Sequence, residues 1–173
     1  MEKTKWILDP IHSELKFKIR HLMISNVSGS LKNFQAEVEM NEADFSSAQI
    51  NLTGEMSSIT TNNEQRDGHL RTSDFFEVEK YPELKFISTK VEKLDNETFA
   101  LYGELTLKGI TKPVQLNVEY NGLTKDPWGG ERSGFFVTGK INRTEWGINF
   151  NSVLETGGVA LSEEVRIDSE LQW

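Results

Sequence analysis

The stretch Ser13-Glu14-Leu15-Lys16-Phe17-Lys18-Ile19-Arg20-His21 decides the fold class. Its odd positions Leu15, Phe17 and Ile19 are apolar, and its even positions Glu14, Lys16, Lys18 and Arg20 are all charged. Successive strand side chains point to opposite faces, so the segment reads as a strand with one buried and one wet face. The same alternation recurs outward from it, at 34–40, 50–56, 99–107, 114–120, 135–141 and 165–173. With the short run at 4–9 and the segment 84–91, the count reaches eight or nine strands. Asn121-Gly122 and Pro127-Trp128-Gly129-Gly130 read as turns between them. Strands with one wet face belong to antiparallel sheets. About eight of them close most economically as a barrel, which also removes exposed edges; a two-sheet sandwich is the alternative. The expected fold is an all-β antiparallel barrel, with residues 1–173 as a single domain.

One segment breaks the rhythm. Thr61-Asn62-Asn63-Glu64 reads as a capping box and 65–71 as two helical turns. Ser73-Asp74-Phe75-Phe76-Glu77 offers a second short helical start, stopped by Tyr81-Pro82. Leu70, Phe75 and Phe76 need an apolar resting place, and an open barrel end supplies one.

Nineteen Lys/Arg against 27 Asp/Glu leave a net charge of −8. An acidic chain repels phosphate backbones, so no nucleic-acid partner is expected. Without Cys, disulfides and thiolate metal sites are excluded. The opening MEKTKWILDP lacks the apolar stretch of about 7–15 residues that a signal peptide needs. No run of about 18 apolar residues is present for a membrane helix. The sequence as written therefore reads as soluble and cytoplasmic; a leader ahead of it would place the protein in the periplasm.

The inward register carries Gly54, Gly103 and Gly139, with Ala36, Ser88 and Ser169 at comparable places. Emptied core positions cost about 2–5 kcal/mol each. Either neighbouring aromatics or a ligand must fill that space, and a barrel of about eight strands is just wide enough to hold one small ligand. Catalytic signals are thin. His12, His21 and His69 show no metal-ligand spacing, and no cofactor motif is present. Adjacent His12 and Ser13 would point to opposite strand faces, so with Asp9 they make no triad. Arg66-Asp67 with His69 is the densest ionisable cluster; it reads either as a salt-bridged anchor of the helix or as a headgroup contact.

Ordered motifs run nearly end to end: Asp9-x-x-His12-Ser13-x-x-x-Phe17-x-x-x-His21, Gly29 with Phe34, Ser58-Ile59-Thr60, Arg66-Asp67-x-His69-Leu70, Asp74-Phe75-Phe76, and Tyr81-Pro82-x-x-x-Phe86. They continue through Gly103-x-Leu105-Thr106-Leu107-x-Gly109-Ile110-Thr111-x-Pro113-Val114, Ile141-Asn142-Arg143 and Trp146-Gly147-Ile148. In these stretches the chain resembles the YceI-like, polyisoprenoid-binding family. Trp146 stands where that family often has Phe, and Leu31 where Phe often follows Gly29.

The resemblance implies an extended lipocalin-like barrel with short helices at one end, common dimers and no generally assigned enzymatic activity; the residues themselves call for no cofactor. It implies binding, sequestration or transport of a long-chain amphiphile, either an isoprenoid such as a quinone tail or a fatty-acid-like molecule. The expected tail contacts are Phe17, Ile19, Met56, Phe75, Phe76, Phe86, Leu105, Phe135, Ile141 and Trp146, with His21 or Arg66 at the headgroup. Two rival readings stand beside this one. The first is a barrel enzyme using His12, His21 or Arg66 with His69. The second is a packed, ligand-free barrel serving as an interaction module.

Overall fold

A computed structural model describes residues 4–7, 13–21, 25–41, 44–72, 75–125, 131–148 and 161–172. Among these, eleven strands form one antiparallel sheet. They are β1 (Thr4–Ile7), β2 (Leu15–His21), β3 (Ser25–Leu31), β4 (Phe34–Asn41), β5 (Asp44–Glu55), β6 (Ile59–Thr60), β7 (Glu83–Lys93), β8 (Thr98–Leu107), β9 (Ile110–Lys125), β10 (Glu131–Asn142) and β11 (Leu161–Gln172). The single α-helix among the described residues, α1 (Glu64–Leu70), lies between β6 and β7.

The strand order is β1-β4-β5-β7-β8-β9-β10-β11-β2-β3-β6. Strands β3 and β4 thus stand near opposite ends of the order, although only Lys32 and Asn33 separate them in the chain. Three residue steps span at most about 11 Å, so the sheet must curl until its ends meet. Backbone hydrogen bonds hold that corner to the end of β5: Glu55 N donates to Asn33 O (2.8 Å), and Lys32 N donates to Ser58 O (3.3 Å). The result is a curled, lipocalin-like barrel with little helix.

Each of the nine expected runs overlaps an observed strand, and two strands are additional. In β3, Ser25-Asn26-Val27-Ser28-Gly29-Ser30-Leu31 carries too few apolar residues to declare its register. Gly29 pairs with Phe17 of β2, and the Phe17 ring covers it: a Cβ on Gly29 would lie 2.4 Å from Phe17 Cζ. Strand β6 is only two residues long.

Asn121-Gly122 is not a turn, since β9 runs through it. Tyr120 pairs with Phe135 and Leu123 with Ser133, so two residues of β9 oppose one of β10. The dipeptide marks a β-bulge, the other structure that tolerates an unpaired extra residue. The segment 126–130 lies outside the described residues. The tight turn is instead at Lys108-Gly109, where both residues have positive φ (50° and 74°) and join Leu107 to its partner Ile110. Positive φ at both central residues gives the primed turn that suits hairpin twist, which is why Gly109 stands there.

The helix runs from Glu64 to Leu70, one residue ahead of the expected 65–71, but its cap lies two residues later than the capping box implies. Its cap is Asn63, whose Oδ1 accepts from Arg66 N (3.0 Å), because Thr61 is committed elsewhere. Phe75 and Phe76 follow in hydrogen-bonded turns rather than a second helix: Phe75 N donates to Thr72 O and Phe76 N to Leu70 O. Ser73 and Asp74 lie outside the described residues.

Candidate functional site

The inward faces of the strands enclose a partly open cavity of about 390 Å³ with an almost wholly apolar lining. That volume falls within the range of about 300–1,000 Å³ typical of small-molecule sites. Aromatic rings crowd the end where β5 and β8 begin. Phe45 meets Phe99 edge-on at 5.0 Å and stacks against Tyr120 at 5.4 Å; Phe135 lies 4.7 Å from Phe45. The other end, where β5 finishes and β7 starts, carries α1 and the turns after it.

Ten of the expected contact residues line this cavity. Phe17 and Ile19 come from β2, Phe86 from β7, Leu105 from β8, and Phe135 and Ile141 from β10. Met56, in a 3-10 turn after β5, joins them with Arg66, Phe75 and Phe76. Trp146 does not. It is fully buried in the hydrophobic core without lining the cavity, and its indole N–H donates to Leu105 O at 2.9 Å, which ties it to β8. His12 lies outside the described residues, and of His21 only the backbone is described, pairing with Leu161 and Ser25.

The inward glycines do not make the cavity. A Cβ on Gly103 would lie 2.5 Å from Phe86 Cζ and 2.6 Å from the Ile87 carbonyl oxygen. On Gly54 it would lie 2.8 Å from Leu31 Cδ1, and on Gly139 2.6 Å from Leu116 Cδ2. Neighbouring side chains already occupy those places, and none of the three glycines lines the cavity. Ser88 and Ser169 are small for a different reason. Each Oγ accepts a backbone N–H, from Ile50 (2.8 Å) and Lys16 (2.9 Å), and Ser88 sits beside a register shift.

Arg66 and Asp67 do not pair with each other; Thr61 stands between them. Asp67 is buried and accepts from Thr61 N (2.7 Å), Thr61 Oγ1 (2.6 Å) and Thr60 Oγ1 (3.2 Å). Arg66 Nε donates to Thr61 Oγ1 (2.7 Å), and its Nη2 donates to Thr61 O (2.9 Å). The Thr61 hydroxyl thus gives its proton to Asp67 and its lone pair to Arg66. Burial works to raise the Asp67 pKa, but the hydrogen bonds from Thr61 and Thr60, with the Arg71 charge nearby, outweigh it. The carboxyl is therefore held below its ordinary range.

The match to known proteins follows this geometry. The YceI-like domain model matches residues 6–173. The chain belongs to the YceI-like family. A UPF0312 protein of Staphylococcus epidermidis is 40% identical over 171 residues, covering 98% of this chain and 97% of the relative. The Campylobacter jejuni YCEI protein has a similar structure, with a TM-score of 0.73 at 33% identity over 89% of each chain. A polyisoprenoid binding domain from Saccharophagus degradans shares the fold, with a TM-score of 0.65 at 15% identity over 96% of this chain and 95% of that one.

In this YceI-like chain the Arg66-Asp67-x-His69-Leu70 motif is α1 itself, and the Ile141-Asn142-Arg143 motif leads from β10 into a 3-10 turn. Both bring polar groups to the cavity that strand alternation does not reveal. Thr61, His69 and Arg143 line it; Arg143 is buried and donates from Nη1 to Ile148 O at 2.8 Å. His69 packs edge-on against Phe75 at 5.1 Å. For Arg143 a place in the second motif was the one signal the sequence held, whereas His69 also stood out in the ionisable cluster with Arg66 and Asp67. Thr61 stood out only as the start of the apparent capping box.

Proposed function

We propose that this protein takes up a long-chain amphiphilic lipid, an isoprenoid, in the barrel interior and sequesters or carries it without chemical turnover. The observation that carries this reading is the apolar cavity of about 390 Å³ between strands whose outer faces are polar. At about 0.8 kcal/mol per buried CH₂, a tail of about fifteen carbons gains about 12 kcal/mol. Set against an association cost at the low end, about 4 kcal/mol, this leaves about 8 kcal/mol, which corresponds to micromolar binding.

Membership of the YceI-like family supports the same reading, as does the likeness to a protein described as a polyisoprenoid binding domain. Binding is favoured over catalysis because the buried carboxylate of the α1 motif, Asp67, is spent on Thr60 and Thr61 and does not line the cavity. The test is mass spectrometry of an organic extract of the purified protein, with titration of a fluorescent isoprenoid into the delipidated form. A stoichiometric long-chain lipid, or saturable micromolar uptake of the probe, is expected. An empty extract together with no uptake would overturn the reading in favour of a packed interaction module.

A further inference from the structure

The polar fringe of the cavity is electrically one-sided. Its charged lining residues are Lys16, Arg66 and Arg143, and no Asp or Glu is among the described lining residues, although the chain has 27 carboxylates and a net charge of −8. Lys16 is turned away from this role, with its ammonium in an exposed ion pair with Glu14 at 2.7 Å. Arg66 is different. Its side chain is exposed yet lines the cavity, and its Nε and Nη2 donate to the two oxygens of Thr61, both uncharged. The carboxylate next to it in sequence is consumed by Thr60 and Thr61. Two bonds to one residue fix the plane of the guanidinium, while its positive charge meets no carboxylate among the described residues. A planar fork held this way is suited to an oxyanion.

We infer that Arg66 binds an anionic headgroup, a phosphate or carboxylate, so that the ligand class is an acidic long-chain amphiphile rather than a neutral one. Asp67 and Thr61 are positioning residues: Asp67 holds the Thr61 hydroxyl, and that hydroxyl holds Arg66. The inference rests on the lipid-binding reading above and narrows it to acidic ligands. An acidic protein surface gives such a ligand no help in reaching the cavity, so the selectivity must come from the local cation.

The test is displacement of the neutral fluorophore N-phenyl-1-naphthylamine from the delipidated full chain. Farnesol, farnesoic acid and farnesyl phosphate are the competitors, with inorganic phosphate alone as a further arm. Farnesyl phosphate and farnesoate should displace the probe at about tenfold lower concentration than farnesol, equivalent to about 1.4 kcal/mol. That advantage should shrink in high salt. Inorganic phosphate, with no tail, should displace nothing. Arg66→Ala should abolish the advantage, weakening the two acids about tenfold and farnesol far less, and Arg66→Lys should keep part of it. Thr61→Val should weaken the acids more than farnesol and so reduce the advantage, whereas a purely structural role would weaken all three alike. Equal displacement by farnesol and its acidic analogues would overturn the headgroup assignment alone, as would an Arg66→Ala protein that still prefers the acids. Failure of every isoprenoid to displace the probe would overturn the lipid-binding reading and this inference with it.

Discussion

Gly103→Ala adds a single methyl group, and the structure specifies what it meets. Gly103 lies in β8 opposite Ser88 of β7, and the new Cβ would stand 2.5 Å from Phe86 Cζ and 2.6 Å from the Ile87 carbonyl oxygen. The ring can rotate away, but the carbonyl belongs to the neighbouring strand and moves only if the ladder opens. Overpacking of this kind costs about 1–3 kcal/mol. The smaller unfolded-state entropy of alanine returns about 0.4–1 kcal/mol. A net loss of up to about 2.5 kcal/mol follows. For a chain of this size each kcal/mol moves the melting temperature by about 2–4 °C. Phe86 also lines the cavity, so a displaced ring intrudes on bound lipid, and probe affinity should fall together with stability. Urea unfolding followed by circular dichroism gives the first quantity, and fluorophore titration at low temperature gives the second. Phe86→Leu in the Gly103→Ala background should recover part of the loss, because the two positions share one space. A Gly103→Ala protein as stable as wild type, with unaltered uptake, would refute the claim that the glycine exists to seat Phe86.

The remaining glycine prediction has the opposite sign: Gly68 sits within α1, and a methyl added there would meet nothing within 4 Å, so Gly68→Ala should raise stability by about 0.5–1 kcal/mol in the same urea assay. Trp146→Phe removes the N–H that reaches Leu105 O and should cost about 1–3 kcal/mol. Fluorophore affinity should stay near wild type, because Trp146 does not line the cavity; lost uptake at unchanged stability would restore it as a ligand contact. Asp67→Ala leaves Thr61 N and two hydroxyls without their acceptor and should lower stability by about 1–3 kcal/mol. Arg66→Ala, at an exposed position, should cost well under half of that. Because the folded Asp67 pKa lies below its ordinary value near about 3.9, its stabilisation is complete above that value and is lost as pH falls through the depressed one. Acid unfolding curves of Asp67→Asn should therefore be flatter than those of wild type below about pH 4.

The barrel was legible because burial on one face imposes period two, and that signal survives wherever the inward residues are large. Strand β4 shows it in full: Ala36, Val38 and Met40 are buried while Gln35, Glu37 and Glu39 are exposed. It failed where a strand changes parity. In β5 the buried residues are Phe45, Ala48, Ile50, Leu52 and Gly54, with the phase shifting between Phe45 and Ala48. There Glu39 pairs with Gln49 but Asn41 with Asp44, so five steps of β5 answer two of β4. Phe45, which anchors the aromatic end of the cavity, is hidden from alternation by that irregularity. Asn121-Gly122 misled for a related reason, since the residues that permit a turn also permit a bulge.

The site was legible to the extent that it is built from strand faces, and misread where one residue does another's work. The inward Gly54, Gly103 and Gly139 suggested vacant space, yet Leu31, Phe86 and Leu116 respectively enter it, as Phe17 does at Gly29. A glycine on one strand beneath a large side chain on another leaves packing volume unchanged, so composition along one strand cannot measure a cavity. The vacancy instead follows from curvature. Inward side chains from β5, β8, β9 and β10 converge on the aromatic end, where Phe45, Phe99, Tyr120 and Phe135 touch. Toward α1 the wall is completed by a seven-residue helix and turns, which cannot fill the barrel as a further layer of strands would. The same asymmetry places the polar groups. The aromatic end is built of rings, so a tail enters it at no cost in desolvated charge. Thr61, Arg66 and His69 arrive only with α1 and the residues that lead into it, so an amphiphile bound as proposed would lie with its tail toward Phe45 and its headgroup toward Arg66.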